Sequence, residues 1–478
     1  MRILLIRPRD IENINTRLPQ SLNIRQGALP PLGISYIAST LERAGHLVRI
    51  LDVIAQNLIV DEIHQYIRQF KPNLTGVTTM TPTLFGALES ARIAKEEGSI
   101  TVLGGPQLTI YPKETLSYPY VDYGINGEGE YVVLELIKVL QERADPGNIK
   151  GLIYKKNNDV WVNDPVIVDD IDSLPFPAYH LLPMARYNSI IGLYPVSTMI
   201  SSRGCPYKCS FCFKQPSDKR FRCRSPNSVV DQMEYLVKKY KVKEIMFYDD
   251  VMTLRRSHIV GICEEILSRG LKVKWETPSR IEHIDRGLLE LMHRAGCIRL
   301  RYGIESGDEE TLGLMNKKID LKHAEEVFKW TKDAGIETFA YFMIGYAHET
   351  ETTIQKTIDF ALKLNPDLAM FTVVTPLPYT PLYNLARDER LITTDYWREF
   401  TLGNKKGQRM PYFFRDSERW IKKAYRRFYL RPMYILRKLS KIRSWDTVKK
   451  HLQAFMGIFM FEMSKGTPHS LRGHPTRK

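Results

Sequence analysis

The stretch Ser202-Arg203-Gly204-Cys205-Pro206-Tyr207-Lys208-Cys209-Ser210-Phe211-Cys212 sets three thiols at the spacing CxxxCxxC. In a cubane 4Fe-4S cluster three thiolates hold three irons and leave the fourth open to a chelating ligand. Gaps this short let all three sulfurs converge from one tight loop, and the apolar run 195–200 reads as a buried strand that delivers it. Two plainer uses of the thiols compete. A structural zinc site closes with four ligands, usually from two CxxC pairs, and Cys223, Cys263 and Cys297 stand too far apart to supply the fourth at such spacing. A disulfide needs an oxidising compartment.

Around these cysteines, down to the aromatic Phe211 before the third, the chain resembles the radical S-adenosylmethionine (radical SAM) superfamily. The resemblance implies that Cys205, Cys209 and Cys212 bind the cluster, with Phe211 among the cofactor-binding residues. It also implies that the methionine amino and carboxylate groups of S-adenosylmethionine chelate the open iron, and that electron transfer cleaves it to a 5′-deoxyadenosyl radical that abstracts hydrogen from substrate. Such chemistry belongs to the cofactors, while the protein positions them and excludes competing reactions.

At 478 residues the chain exceeds what one core usually organises, so two or three domains are expected. Its charge is uneven: 401–478 holds 20 Lys and Arg against 4 Asp and Glu, net +16, and the remainder holds 49 against 50. The opening Met1-Arg2-Ile3-Leu4-Leu5-Ile6 is followed at once by Arg7-Pro8-Arg9-Asp10, too short for a secretory h-region. No apolar run approaches the roughly 20 residues of a membrane-spanning helix. A cytoplasmic, reducing location is the expectation, and it suits an oxygen-labile cluster.

Residues 2–145 alternate strand patterns (2–6, 47–51, 74–79, 100–103) with helix patterns (33–44, closed by Gly45, then 60–70, 84–97 and 130–142). This α/β alternation predicts a parallel, doubly wound (Rossmann-like) sheet whose ligands bind off the carboxyl ends of its strands. Three loops are candidates: the hydroxyl-rich 78–83, with Thr79 and Thr81; Gly104-Gly105-Pro106-Gln107, where missing side chains let a large flat ligand approach the backbone; and Asn126-Gly127-Glu128-Gly129-Glu130. Singly, each reads as a plain turn. Together with Pro30-Pro31-Leu32-Gly33 they resemble the cobalamin-binding domain of cobalamin-dependent radical SAM enzymes, a resemblance that covers about residues 1–390. It implies that Thr79, Thr81, Gly104, Gly105, Gly127 and Glu128 contact cobalamin. The Asp-x-His-x-x-Gly motif that supplies an axial histidine in other cobalamin proteins is absent, since Arg7-Pro8-Arg9-Asp10 has no histidine. The lower face is therefore expected without a histidine ligand, and Gln107 stands where relatives often carry histidine.

The expected divisions are a cobalamin-binding domain at 1–150, a connector at 151–195, a radical SAM barrel at 196–390 and a basic helical region at 391–478. In the connector, 151–154 and 160–162 flank Asn157-Asn158-Asp159 as a hairpin, and 169–177 is an acidic, proline-stiffened linker. Strand and helix patterns then alternate six times, predicting a partial (β/α)6 barrel, open on one side, with its chemistry at the C-terminal strand ends. Through the resemblance, Asp249 and Asp250 are expected to accept hydrogen bonds from the ammonium or ribose of S-adenosylmethionine. Glu305, with Ser306 beside it, takes ribose hydroxyls, the backbone at Ile344-Gly345 meets adenine, and Arg280 joins the cofactor site. Any one of the carboxylates serves as well as a helix N-cap, worth about 1 kcal/mol. In 344–350 an alanine replaces the family's proline and His348 a small residue, so His348 is either a substrate contact or an exposed loop residue. No catalytic acid, base or radical-quenching residue is assigned.

In the tail, Trp420, Ile421, Ala424, Tyr425, Phe428 and Tyr429 form one helical face and Lys422, Lys423, Arg426 and Arg427 the other; 433–443 repeats the pattern, and 454–461 is nearly all apolar. Basic amphipathic helices with aromatic anchors suit the surface of an anionic membrane. The competing reading is a cap on the barrel with its basic face solvated. Nucleic acid is not expected, because the aromatics share the apolar face instead of interleaving with arginines. Three functions follow: methyl transfer from S-adenosylmethionine through cobalamin to an unactivated carbon of a hydrophobic (lipid, isoprenoid or tetrapyrrole) small molecule; a radical cyclisation, ring contraction or oxidation with the same cofactors; or a non-catalytic cobalamin or redox sensor, which the intact cysteine triad disfavours. An electron donor such as flavodoxin or ferredoxin is an expected partner.

Overall fold

The structure is a computed structural model that describes residues 1–9, 28–157, 159–189, 191–215, 219–405, 408 and 410–440. Its first sheet is built from β1 (Arg2–Arg7), β2 (Leu47–Asp52), β3 (Leu74–Thr78), β4 (Ile100–Gly104) and β5 (Tyr123–Ile125), all parallel, and from the antiparallel β6 (Leu152–Lys156) and β7 (Asp159–Val162). The spatial order is β2-β1-β3-β4-β5-β6-β7. Successive residues of β1 feed opposite cores: Ile3 and Leu5 pack on one side of the sheet, Leu4 and Ile6 on the other. This two-sided burial is why the strand reads as an unbroken apolar run. The hairpin read in the connector lies in this sheet, because β6 pairs with β5. The strand order reverses direction between β1 and β3, and there the C-terminal ends open a crevice.

The second sheet contains β8 (Val196–Met199), followed by the short antiparallel hairpin β9 (Ser202–Arg203) and β10 (Arg222–Cys223). It continues with β11 (Glu244–Phe247), β12 (Lys274–Ser279), β13 (Cys297–Glu305), β14 (Glu337–Ile344) and β15 (Leu368–Val373). Six parallel strands in the order β15-β14-β13-β12-β11-β8 make the open barrel that the alternation predicts.

An open barrel has two edges whose backbone groups need partners. At β8, Tyr179 Oη donates to Thr198 O (2.7 Å), and Thr198 Oγ1 donates to Pro30 O (3.0 Å) of the N-terminal half. At β15 the tail does this work. Tyr429 Oη donates to Ala369 O (2.6 Å) and accepts from Ala369 N (3.0 Å), and Tyr425 Oη accepts from Phe371 N (3.4 Å). Both tyrosines sit on helix Ser417–Tyr429, whose Trp420, Ile421, Ala424, Tyr425 and Phe428 are buried against the barrel.

The expectation that this apolar face meets lipid is thereby corrected. The stripe fills the core of the protein's own barrel, and Arg427 on the outer face pairs with Asp359 at 2.8 Å. On the next helix, Pro432–Ser440, Tyr434 is buried and donates to Asp367 O (2.8 Å), while Met433 and Leu436 are exposed. The segments 441–443 and 454–461 lie outside the described residues. No helix among the described residues is long and apolar enough to cross a membrane.

Candidate functional site

The cysteines lie in the loop that joins β9 to β10. Lys214 donates to the carbonyls of Cys205 (2.7 Å) and Tyr207, Asn316 Nδ2 to Lys208 O (2.7 Å), Ser210 N to Met315 O (3.0 Å) and Leu382 N to Ser210 O (3.0 Å). Gly204, at φ 88°, donates to Asp250 Oδ2 at 3.2 Å, a backbone conformation that suits glycine. All three thiols are free; Cys205 and Cys209 are half-buried and Cys212 is exposed as a residue. Enclosure by neighbouring atoms nevertheless pushes the Cys212 thiol up to about 11, with Lys214 opposing and Cys209 and Cys205 adding, so the three groups feel one another's charge. Among the described residues no three Cys, His, Asp or Glu side chains converge as ligands to a single ion. Three free thiols on one loop are one donor short of a closed tetrahedral zinc site, whereas a 4Fe-4S cluster takes three and leaves its fourth iron open, so this donor set fits the cluster better.

Among the expected S-adenosylmethionine contacts, Arg280 reaches a thiol directly. Its guanidinium stands 3.8 Å from the Tyr207 ring centroid, pairs with Glu282 at 2.5 Å and directs Nη1 to Cys209 Sγ at 3.7 Å. Phe211 packs with Met315, Tyr346, Ala347, Val374 and Leu382. Asp250 is exposed at the end of β11, beside Gly204. Asp249 is instead a buried staple: it accepts from Ser201 N (2.8 Å), Ser201 Oγ (2.6 Å) and Ser202 Oγ (2.5 Å), and burial pushes its carboxyl up to about 6. Glu305, at φ 69°, folds back to pair with Lys317 at 2.9 Å. Gly303 makes that possible, since a Cβ there would stand 2.3 Å from Glu305 Oε1. Ser306 is fully buried and its hydroxyl bonds Thr357 Oγ1 (3.0 Å) and Asp308 N (3.1 Å). Gly345 N donates to Glu349 (2.7 Å), and a Cβ at Gly345 would meet Ser417 Oγ at 2.3 Å, so the tail helix begins against this strand end. His348 pairs with Glu389 at 2.9 Å and is exposed.

Between the two sheets lies a cavity of about 1050 Å³. That is at or above the ~300–1,000 Å³ usual for a pocket holding one drug-sized ligand. One wall is the crevice of the first sheet, with Arg7, Thr78, Gly104, Gly105 and Gly127; the other is the barrel interior, with Met246, Tyr248, Glu276, Arg301, Tyr341 and Met370. A Cβ at Gly104 would have no neighbour nearer than 3.8 Å, so the backbone is open on the cavity side. Gly105 (φ 119°) and Gly127 (φ 101°) serve backbone packing, since a Cβ would stand 2.5 Å from Thr79 O and 2.3 Å from Val166 O respectively. Thr79 and Thr81 are not cavity residues: Thr79 Oγ1 donates to Val77 O (3.2 Å) and Thr81 Oγ1 to Gln107 Oε1 (3.0 Å), leaving Thr78 and Thr83 to face the space. Gln107 Nε2 reaches Thr401 Oγ1 (2.9 Å), joining the N-terminal half to the C-terminal region. Among the described residues the lining contains no histidine. Room for a large planar ligand, glycine backbone at one face and an apolar surround fit cobalamin held without an imidazole.

The Radical SAM superfamily profile matches residues 199–361, and the B12 binding domain profile residues 23–137. An uncharacterised methyltransferase of Pyrococcus horikoshii is 32% identical over 435 residues, 90% of this chain and 94% of that protein. The chain belongs to the cobalamin-dependent radical SAM enzymes. These use a 4Fe-4S cluster, S-adenosylmethionine and cobalamin. This radical SAM enzyme is also 32% identical over 374 residues to the anaerobic magnesium-protoporphyrin IX monomethyl ester cyclase of Rubrivivax gelatinosus, 76% of this chain and 67% of that protein. Its fold matches that of the cobalamin-dependent radical enzyme OxsB, solved with aqua-cobalamin and S-adenosylmethionine, with a TM-score of 0.73 at 16% identity over 97% of this chain and 72% of that one.

Sequence reasoning missed the polar groups of the radical SAM barrel wall. Tyr248 leaves 49% of its surface uncovered although it lines the cavity, and Arg301 lies 5.3 Å over its ring. Glu276, wholly buried, pairs with Arg299 (2.5 Å) and approaches Arg301 Nε at 3.6 Å. The signal was present: Arg299 and Arg301 alternate with Leu300 and Tyr302 in β13, and a charge on the inward face of a buried strand needs a partner.

Proposed function

We infer that this protein transfers a methyl group from S-adenosylmethionine, through cobalamin, to an unactivated carbon of a hydrophobic small molecule. The observation that carries this reading is the large cavity between the sheets, walled by the glycine crevice on one side and by Met246, Phe339, Leu368 and Met370 of the barrel on the other. When bound, the cluster would supply one electron to S-adenosylmethionine and cobalamin would carry the methyl group. The chain itself holds the cluster by Cys205, Cys209 and Cys212, fixes their loop through Lys214 and Asn316, and lines the reaction space with a largely apolar wall that Arg7, Glu276 and Arg301 interrupt. A flavodoxin- or ferredoxin-like donor would supply the reducing electron.

Anaerobic reconstitution with methyl-labelled S-adenosylmethionine and a lipid extract tests this. Label is expected in an extractable apolar product, and unlabelled product with consumption of the cofactor refutes methyl transfer. That second outcome favours a cyclisation or oxidation, a reading supported by equal identity to the Rubrivivax gelatinosus cyclase.

A further inference from the structure

Arg203 stands two residues before Cys205 and also lines the cavity. Its guanidinium joins two carboxylates of the N-terminal half, Glu128 at 3.1 Å and Glu130 at 2.7 Å, and lies 5.3 Å over the Tyr36 ring. Opposite it in the hairpin register, Arg222 makes a two-pronged fork to the same Glu128, Nη1 to Oε2 and Nη2 to Oε1, each 2.8 Å, and donates to Val168 O. Val168 N donates in turn to Glu128 Oε2 at 2.5 Å. The four side chains are 3–14% exposed, so these ion pairs are shielded from water and depend on one another. Glu128, expected as a cobalamin contact, has its carboxylate occupied by this junction. Both strands of the neck that carries the cluster loop are thus fastened to 127–130, whose residues form part of the cavity wall.

The geometry points to Glu128, Glu130, Arg203 and Arg222 as positioning residues through which filling the cobalamin cavity and filling the cluster loop strengthen each other. This rests on the cofactor reading above. A ligand lying on 127–130 and Arg203 restrains the junction from the cavity side; a cluster on Cys205 restrains it from the other side, through Gly204. Whichever binds second finds the neck already ordered and restrains less chain. Linkage requires the gain to be equal in both directions.

The test uses the full chain under anaerobic conditions. The dissociation constant of hydroxocobalamin is measured by equilibrium dialysis for cluster-free and cluster-reconstituted protein. The cluster is expected to tighten binding by about fivefold or more, the lower end of ordinary coupling between sites. Glu128→Gln, and Arg222→Lys, which keeps the charge but loses the planar fork, should bring that ratio toward one. A merely loosened fold weakens both forms alike and leaves the ratio intact, as Gly104→Ala, which narrows the cavity away from the junction, should do. A wild-type ratio of one, or a wild-type ratio in both junction variants, overturns the proposal. Wild-type protein that takes up the cluster yet binds no hydroxocobalamin refutes the cofactor reading and the coupling with it.

Discussion

Replacing Tyr429 by phenylalanine removes one oxygen that serves two backbone groups. Tyr429 Oη donates to Ala369 O at 2.6 Å and accepts from Ala369 N at 3.0 Å, on the edge strand β15. Ala369 is 3% exposed, so Tyr429→Phe leaves a buried donor and a buried acceptor without partners. Each such group costs about 1–3 kcal/mol, or about 2–6 kcal/mol together. Ala369 borders the cavity, from which water can reach it; the lower half of that range, about 2–4 kcal/mol, is therefore expected. Tyr434→Phe gives up one 2.8 Å bond to Asp367 O and should cost about half as much. Denaturant midpoints of the reconstituted proteins at constant m-value measure both, and hydrogen exchange should show the Ala369 amide losing protection in the first variant alone. A Tyr429→Phe protein within about 0.5 kcal/mol of wild type, the span of neutral surface changes, refutes the assignment of this tyrosine as the closure of the barrel edge, as does a costlier Tyr434→Phe.

Cys209→Ala should abolish cluster assembly and cleavage of S-adenosylmethionine while the protein stays folded; iron and sulfide analysis beside 5′-deoxyadenosine assay checks it, and retained 5′-deoxyadenosine would falsify the triad. Cobalamin bound to the full chain, reduced to Co(II), should show no nitrogen hyperfine splitting from histidine in its paramagnetic resonance spectrum, since no described lining residue is a histidine. Burial pushes the Glu349 carboxyl from 4.5 up to about 7, against the hydrogen bonds from Tyr346 N and Gly345 N. The folded state then holds a proton the unfolded state has released, so this group's contribution is present below 4.5 and lost as pH rises toward about 7. Glu349→Gln should flatten that part of the stability profile, and an unchanged pH dependence of the denaturation midpoint would count against it.

The alternation of patterns carried both sheets because each buried strand shows its apolar run locally, as β1 does with Ile3 to Ile6. The cysteine triad was legible for the same reason: spacing along one loop is a local property. What depends on direction was not. Thr79 and Thr81 occupy a loop that does reach the cavity, but Thr78, the last residue of β3, and Thr83 line it while the other two turn to hydrogen bonds. Asp249 and Asp250 are adjacent and chemically alike, yet one is sealed by Ser201 and Ser202 and the other stands beside the cluster loop. An apolar helical stripe states that something covers it without naming the cover. For Trp420 to Phe428 the cover is the barrel.

The division of labour at β15 also has a clock in it. The last strand of the barrel ends at Val373, and its covering tyrosines follow only at Tyr425 and Tyr429. A ribosome adding ~5–20 residues per second needs about 3–10 s to cross that interval. For those seconds a nascent chain can have all six strands and an unpaired edge, the surface most prone to recruit a strand from a neighbouring polypeptide. Demand for chaperones should peak in that window, and slow codons between 373 and 425 would lengthen it without altering a single residue of the finished enzyme.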